Sequence, residues 1–455
     1  MLRCVMALWV GILASELFAS EGSARANMSL ESIYGLAVDQ APSLAIAQYR
    51  VDSAQAQTLE ARGAVLPQLT LFGEWSENNL SYDGPLSALY GEQDYPGERY
   101  GFSVRQTVFN MSRFREIQRR DSLFDVSESD LAQAEIELLA QVTDAYLTVL
   151  IADDTVTQFQ MESEALEKQL EEAQALFARA LITLTQVLEA QTRSETVSAD
   201  LIEAEGEAAI ARERLTELIG MRDFELMAIA TDVVLPAGMI TPEQAVSLAL
   251  QSSPAVSAAK EGLEAAEFGV KREKASWWPE ISLVFNQQYS DVGFDNLTSP
   301  PRNTETVSIA VNYPLFQGGS GAARIRGAWA EYYATKAELE GVKREIETQT
   351  RSAWVRLSAA TKRILAAQQA VETATVNVSA AQKSVKAGTA RVTDVLFALA
   401  QRTRARRDRF FAEQQRIMAW LELELITGTA PSVVAPILSD ALLSTAAVSV
   451  TAAGQ

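Results

Sequence analysis

SRFREIQRRDSLFDVSESDLAQAEIELLAQVTDAYLTVLIADDTVTQFQMESEALEKQLEEAQALFA, residues 112–178, decides the fold. It contains neither proline nor glycine. At about 1.5 Å per residue it makes a helix of roughly 100 Å, too long for a compact globular domain. The turn falls near Ala180-Leu181-Ile182-Thr183, and a shorter return helix follows to Gly220. Along it Val187, Ala190, Ser194, Val197, Leu201, Ala204, Ala208, Ala211, Leu215 and Leu218 recur in steps of three and four. That is a heptad seam with many small residues, which packs helix on helix and implies no ligand.

Working outward, the whole unit occurs twice. Ala37, Pro42 and Leu44 recur as Ala249, Pro254 and Val256, and Pro67, Leu69 and Leu71 as Pro279, Ile281 and Leu283. Ala145-Tyr146 returns as Ala353-Trp354, Thr185 as Thr393, Val187-Leu188 as Val395-Leu396, and Gly220 as Gly428. Each copy opens with a helical stretch broken before Pro42 or Pro254, because a residue preceding proline leaves the helical region. A pair of strands and then a long helical hairpin follow. The expected organisation is a first repeat over 27–220, with strands at about 67–78 and 99–109 and a hairpin over 112–220. An inter-repeat segment covers 221–240. The second repeat covers 241–428, with strands at about 279–290 and 305–316 and a hairpin over 321–428 turning near Gly388-Thr389-Ala390-Arg391. A partly disordered tail, 429–455, ends the chain.

The strands alternate. Leu69, Leu71 and Trp75 share one face, with Thr70, Glu74 and Ser76 on the other. Tyr100, Phe102, Val104 and Val108 alternate with polar residues, as do Ile281, Leu283, Phe285 and Tyr289, and Val307, Ile309, Val311, Tyr313 and Leu315. Each strand is about ten residues long, enough for a tilted membrane strand. Trp75, Tyr100, Tyr289 and Tyr313 fall near strand ends, as an interfacial girdle would. The segments 78–98 and 291–304 read as exposed loops. Four strands cannot close a barrel, and an open sheet in lipid leaves backbone groups unpaired. Strands in a membrane therefore require oligomerisation, and three protomers would supply twelve. The competing reading is an amphipathic sheet packed on the helices of a secreted coiled-coil structural or adhesive protein.

Residues 1–26 read as a secretory signal: Arg3, an apolar run from Cys4 to Ala14, and Ala24-Arg25-Ala26 as a small-x-small cleavage site. The only cysteine is Cys4 and there is no histidine, so thiol chemistry in the mature chain, His triads and His metal ligands are excluded. The net charge of −20 argues against nucleic acid as a partner. No phosphate-binding G-x4-G-K-[ST] loop occurs. A secreted hydrolase would need two carboxylates converging in a cleft, and no such spacing is present. Neither enzymatic activity nor a cofactor is expected.

In order and in motif the chain resembles the TolC family of outer-membrane efflux and secretion channels, over about Ser29 to Gly428. The carriers are the duplicated A-x4-P-x-L/V start and the strand openers Leu66-Pro67 and Trp278-Pro279. With them go Pro314-Leu315-Phe316-Gln317-Gly318-Gly319, Ala145-Tyr146-Leu147 with Leu150-Ile151-Ala152, and Gly388-Thr389 followed by Thr393-Asp394-Val395-Leu396. The resemblance implies a mostly α fold with a membrane β-barrel part: a homotrimer, a twelve-stranded barrel in outer-membrane lipid, and a coiled-coil tunnel in the periplasm of a Gram-negative bacterium. The inter-repeat segment and the tail would form a belt. A periplasmic adaptor (membrane fusion) protein, bound to an inner-membrane pump of RND, ABC or MFS type, would dock at the tip. Carried over, the docking residues are Ala180, Leu181, Thr185, Gly388, Thr389 and Thr393. Ala180 and Gln186 stand where the family has glycine and aspartate.

The family also places acidic residues beside the pore, which implies Asp394, with Glu189 as a second position, at the constriction. Asp394 has an ordinary alternative, a first-turn carboxylate at a helix N-terminus. The cluster Arg402, Arg404, Arg406, Arg407 and Arg409 is expected to pair with Glu203, Glu205 and Glu207 of copy one.

Overall fold

The computed structural model describes residues 27–81, 84, 91–228, 233–236, 241–291 and 300–443; the signal and the last residues of the tail lie outside them. In chain order the elements are β1 (Asn27–Met28), α1 (Leu30–Gln40), α2 (Pro42–Gly63), β2 (Gln68–Leu80), β3 (Gln93–Phe109), α3 (Met111–Ala178), α4 (Leu184–Ile219) and β4 (Glu225–Leu226). The second repeat follows as α5 (Pro242–Ser252), α6 (Pro254–Ala275), β5 (Glu280–Ser290), β6 (Arg302–Asn312), α7 (Ser320–Lys386) and α8 (Val392–Ile426), and α9 (Pro431–Leu443) closes the chain.

Local chemistry sets the boundaries. Ser29 caps α1, its Oγ accepting from the Ser32 N–H at 3.3 Å. Pro42 and Pro254 open α2 and α6 at the position where a missing N–H costs nothing. Asn110 Oδ1 accepts from the Arg113 N–H at 3.0 Å and starts α3, which then runs 68 residues. α7 runs 67 residues behind Gly319, whose φ of 86° only glycine adopts freely.

The four strands form one antiparallel sheet in the order β2-β3-β5-β6, so the β3–β5 pairing joins the repeats. The pairing places Leu69, Val104, Phe285 and Val307 in one row of the apolar face, and Leu283 beside Ile309 in the next. Thr70, Ser103, Asn286 and Thr306 make a row of the opposite, polar face.

Several strand limits differ from the alternation. β3 begins at Gln93, because Leu80 pairs with Gln93 and Glu77 with Pro96, so much of the expected 78–98 loop is strand. Pro96 is tolerated because β5 pairs with β3 only from Arg99 onward, leaving the proline's missing N–H no strand partner to fail. Trp75 consequently lies within β2 rather than at its end. A register shift between Thr107 and Phe109 pairs Phe109, not Val108, with Ile281. β6 stops at Asn312, since Pro314 and the left-handed Gly318 and Gly319 turn the chain into α7.

The main core sits midway along the long helices. Leu138, Leu139, Val142, Tyr146 and Leu147 of α3 meet Leu30 and Ile33 of α1, Leu215 and Ile219 of α4, and Ile417 and Leu421 of α8. The inter-repeat segment adds Phe224 and Val233, and α9 adds Val434, Leu438 and Leu442. The first part of the tail is a helix, because its apolar residues have a core to enter, and the remainder of the expected tail, 444–455, lies outside the described residues. Tyr146 donates to the Met227 carbonyl at 3.1 Å, and burial pushes its hydroxyl up to about 12. The seam of α4 is buried at Val187, Ala190, Val197, Ala204, Ala208, Ala211 and Leu215.

Where the helices meet the sheet, Arg272 of α6 bridges Glu116 of α3 at 2.8 Å and Glu273 at 2.6 Å, and Arg324 of α7 reaches Glu273 at 3.3 Å. Burial would raise the Glu116 carboxyl, but Arg272, Arg119 and Arg120 outweigh it and hold it below the usual range. A lowered carboxyl stabilises the fold above its unfolded value and loses that contribution as pH falls through the folded one. Acid unfolding below about pH 4.5 is therefore expected to be shallower in Glu116→Gln than in wild type, read by circular dichroism against pH.

Candidate functional site

The far ends of the two helical hairpins lie side by side, and the site is built there. α3 ends at Ala178 and α4 starts at Leu184; α7 ends at Lys386 and α8 starts at Val392. Both turns pass through the left-handed region, at Gly388 with φ 71° and at Ala180 with φ 56°. Ala180 is the sole non-glycine residue with positive φ among the described residues. Its Cβ costs about 1 kcal/mol in that conformation. Ala180→Gly is expected to raise the thermal midpoint by a few degrees, since it removes this strain at an exposed turn.

Each return helix is capped by the residue three positions on. Gln186 Oε1 accepts from the Thr183 N–H at 3.3 Å in the first repeat, and Asp394 Oδ2 from the Arg391 N–H at 2.8 Å in the second. Gln186 therefore keeps the capping role of its counterpart without the charge. Asp394 is exposed and committed through one oxygen to its own helix.

Between the starts of α4 and α8 lies a cleft of about 730 Å³, lined by Thr183, Thr185, Gln186, Glu189 and Arg193 on one side and Arg391, Thr393, Leu396, Phe397 and Ala400 on the other. It brings together Glu189, Thr185 and Thr393 of the expected site residues. Ala180, Leu181, Gly388 and Thr389 sit on the turns beyond it, with Leu181 exposed. Asp394 lies outside the lining, while Glu189 shares the cleft with Phe397, its counterpart in the other repeat. Among the described residues no group of three or more acidic or thiol side chains could hold a metal.

The arginine cluster does not pair as expected. Among the described residues no ion pair joins it to Glu203, Glu205 or Glu207. α8 packs chiefly on its hairpin partner α7 and, across the repeats, more on α3 than on α4, so Arg406 donates to Gln158 Oε1 at 2.8 Å and Arg407 lies over the Phe159 ring, 5.5 Å from its centroid. Glu203 and Glu207 face Arg404 and Arg407 across a cavity of about 680 Å³. One charged pair escaped the sequence reading. Glu162 of α3, 1% exposed, takes a 2.7 Å bond from Arg193 of α4. The available signal was its position: Phe159, Glu162, Leu166 and Ala173 follow the steps of a buried seam.

Comparison with known proteins bears directly on this arrangement. The family model described as outer membrane efflux protein matches residues 33–221 and again 245–429. The alkaline protease secretion protein AprF of Pseudomonas aeruginosa is 24% identical over 408 residues, covering 87% of this chain and 83% of its own. The outer membrane protein TolC of Vibrio cholerae is 24% identical over 406 residues, covering 88% and 91%. In fold, the chain is similar to the Campylobacter jejuni CmeC outer membrane channel, with a TM-score of 0.78 at 14% identity, covering 96% of this chain and 99% of that one.

Proposed function

The chain belongs to the outer membrane efflux protein family, and on that premise we propose that three copies close head to tail into one passive duct through the outer membrane and periplasm. It is an outer-membrane conduit of an efflux or type I secretion system, with a large periplasmic part, and not an enzyme. Among the described residues no helix is long and apolar enough to cross a membrane, so the membrane part falls to the sheet.

One observation carries the trimer. The strand order β2-β3-β5-β6 is matched below by helices packed in the order α2-α3-α6-α7, so both layers end at the same two edges. β6 and β2 run in opposite directions, so the β6 edge of one copy meets the β2 edge of the next as an antiparallel pair. Every added copy preserves the alternation, and only closure removes the edges. The outward apolar face, with Leu69, Leu71, Trp75, Val307, Ile309 and Val311 all exposed in one chain, then faces lipid. Two copies would give eight strands, whose interior side chains fill, whereas twelve leave a lumen.

The exposed hairpin turns, with Ala180, Leu181 and Thr185 and with Gly388, Thr389 and Thr393, are the surface offered to a periplasmic adaptor coupled to an inner-membrane pump of RND, ABC or MFS type. Three Asp394 carboxylates, with Glu189 nearby, would ring the entrance and attract cations. The purified chain in planar bilayers tests this reading: a trimer on cross-linking and a cation-preferring conductance are expected. Asp394→Asn is expected to lower the cation-to-anion permeability ratio severalfold. A monomer without conductance would refute the duct.

A further inference from the structure

Partway up the hairpins from the tip, α8 lies antiparallel on α3, and each presents a row of polar side chains. On α3, Asp154, Gln158 and Glu162 recur every fourth residue and share a face; on α8, Arg402, Arg406 and Arg409 do so in steps of four and three. The middle rung is made, Arg406 to Gln158 at 2.8 Å. The outer rungs are open. Asp154 Oδ2 and Glu162 Oε2 are buried without a hydrogen-bond partner, and so is Arg402 Nε. Glu162 uses its other oxygen for Arg193. Burial raises the Asp154 carboxyl despite Gln158, Arg409 and Arg406, and burial together with Arg406 lowers Arg402 despite Glu162. Buried polar groups left half-satisfied destabilise the arrangement that holds them. Beside the row, the cavity of about 680 Å³ between α3, α4 and α8 leaves space for α8 to rotate.

We propose that this row is a polar ladder with two packed states, half closed at rest and fully closed in the conducting channel, where Arg402 donates to Glu162 and Arg409 to Asp154. The proposal rests on the duct reading and adds to it a positioning device in the shaft, away from the tip. Opening of the tip then gains hydrogen bonds inside the protomer. The bias between the two states is set by residues that touch neither cargo nor adaptor.

A double-mutant cycle on the full-length protein in planar bilayers tests it, with the conducting fraction as readout. Glu162→Gln and Arg402→Gln are each expected to lower that fraction about tenfold, the effect of one charged hydrogen bond. The double variant is expected to lower it no further, because the rung exists only once. The resting state lacks the hydrogen-bonded rung and keeps only the longer-range attraction of Glu162 for Arg402, so coupling between the two positions is expected to be much smaller in the thermal midpoint of the trimer than in the conducting fraction. Should Glu162→Gln fail to assemble, Asp154→Asn with Arg409→Gln forms an independent cycle. Additive effects on conduction, or none, overturn the ladder while the duct stands. A wild-type protein that never conducts overturns the duct reading and the ladder with it.

Discussion

Ile309→Arg is expected to abolish assembly in the membrane, leaving no heat-resistant trimer in the outer-membrane fraction. Ile309 stands midway along β6, beside Leu283 of β5, on the apolar face, and is 71% exposed in one chain. A guanidinium facing lipid at that depth costs about 2–4 kcal/mol. In the proposed trimer three copies would incur it together, which approaches the whole stability of many proteins. The neighbouring Ser308 points to the polar face, in the row of Val284. Ser308→Arg adds the same charge and the same bulk to a wet surface, and is expected to assemble normally. Electrophoresis of unheated membranes reads both. Equal tolerance at the two positions would mean that the sheet's apolar face meets protein rather than lipid, which is the soluble-sheet alternative.

The contrast between those two adjacent residues was legible from the sequence, because strand alternation is local and needs no partner. The same holds for the α4 seam, whose spacing marks Val187 through Leu215 as buried, and for the turns at Ala180 and Gly388. What stayed hidden depends on neighbours distant in sequence. Gln93 to Glu98 are polar or turn-forming, and only pairing with Trp75 through Leu80 makes them strand. α9 was not legible as a helix within the belt-forming tail, because the core that takes Leu438 is formed by residues from across the chain. Arg402 to Arg409 looked bound for the carboxylates of α4, and the choice of α3 instead follows from how the two hairpins pack. At the tip, the sequence placed Asp394 and Gln186 at equivalent positions but did not reveal that both serve as helix caps. That commitment limits what Asp394 can do at a pore, since one oxygen is already held at 2.8 Å by the Arg391 N–H.

Gly101 shows the same dependence on distant partners at its most severe, and Gly101→Ala is expected to disassemble the protein. Gly101 lies in β3 opposite Gln288 of β5, within the pairing that joins the two repeats. A Cβ there would overlap the Gln287 carbonyl oxygen and lie 2.9 Å from the Gln288 Cα. Those atoms belong to backbone held in the ladder, so relief requires the strands to part, not a rotamer to change. Overpacking a rigid site costs about 1–3 kcal/mol even where repacking is possible. Here it also opens the seam on which the four-stranded sheet depends. Gly73 provides the control within the same sheet. Its added Cβ would meet the Trp75 ring at 3.0 Å, and that side chain can swing away. Gly73→Ala is expected to yield trimer with a midpoint near wild type, and Gly101→Ala little or none, as measured by trimer yield and thermal melting. If both variants assembled equally well, β3 and β5 would have to sit farther apart than the register implies, and the joining of the two repeats through one continuous sheet would need another basis.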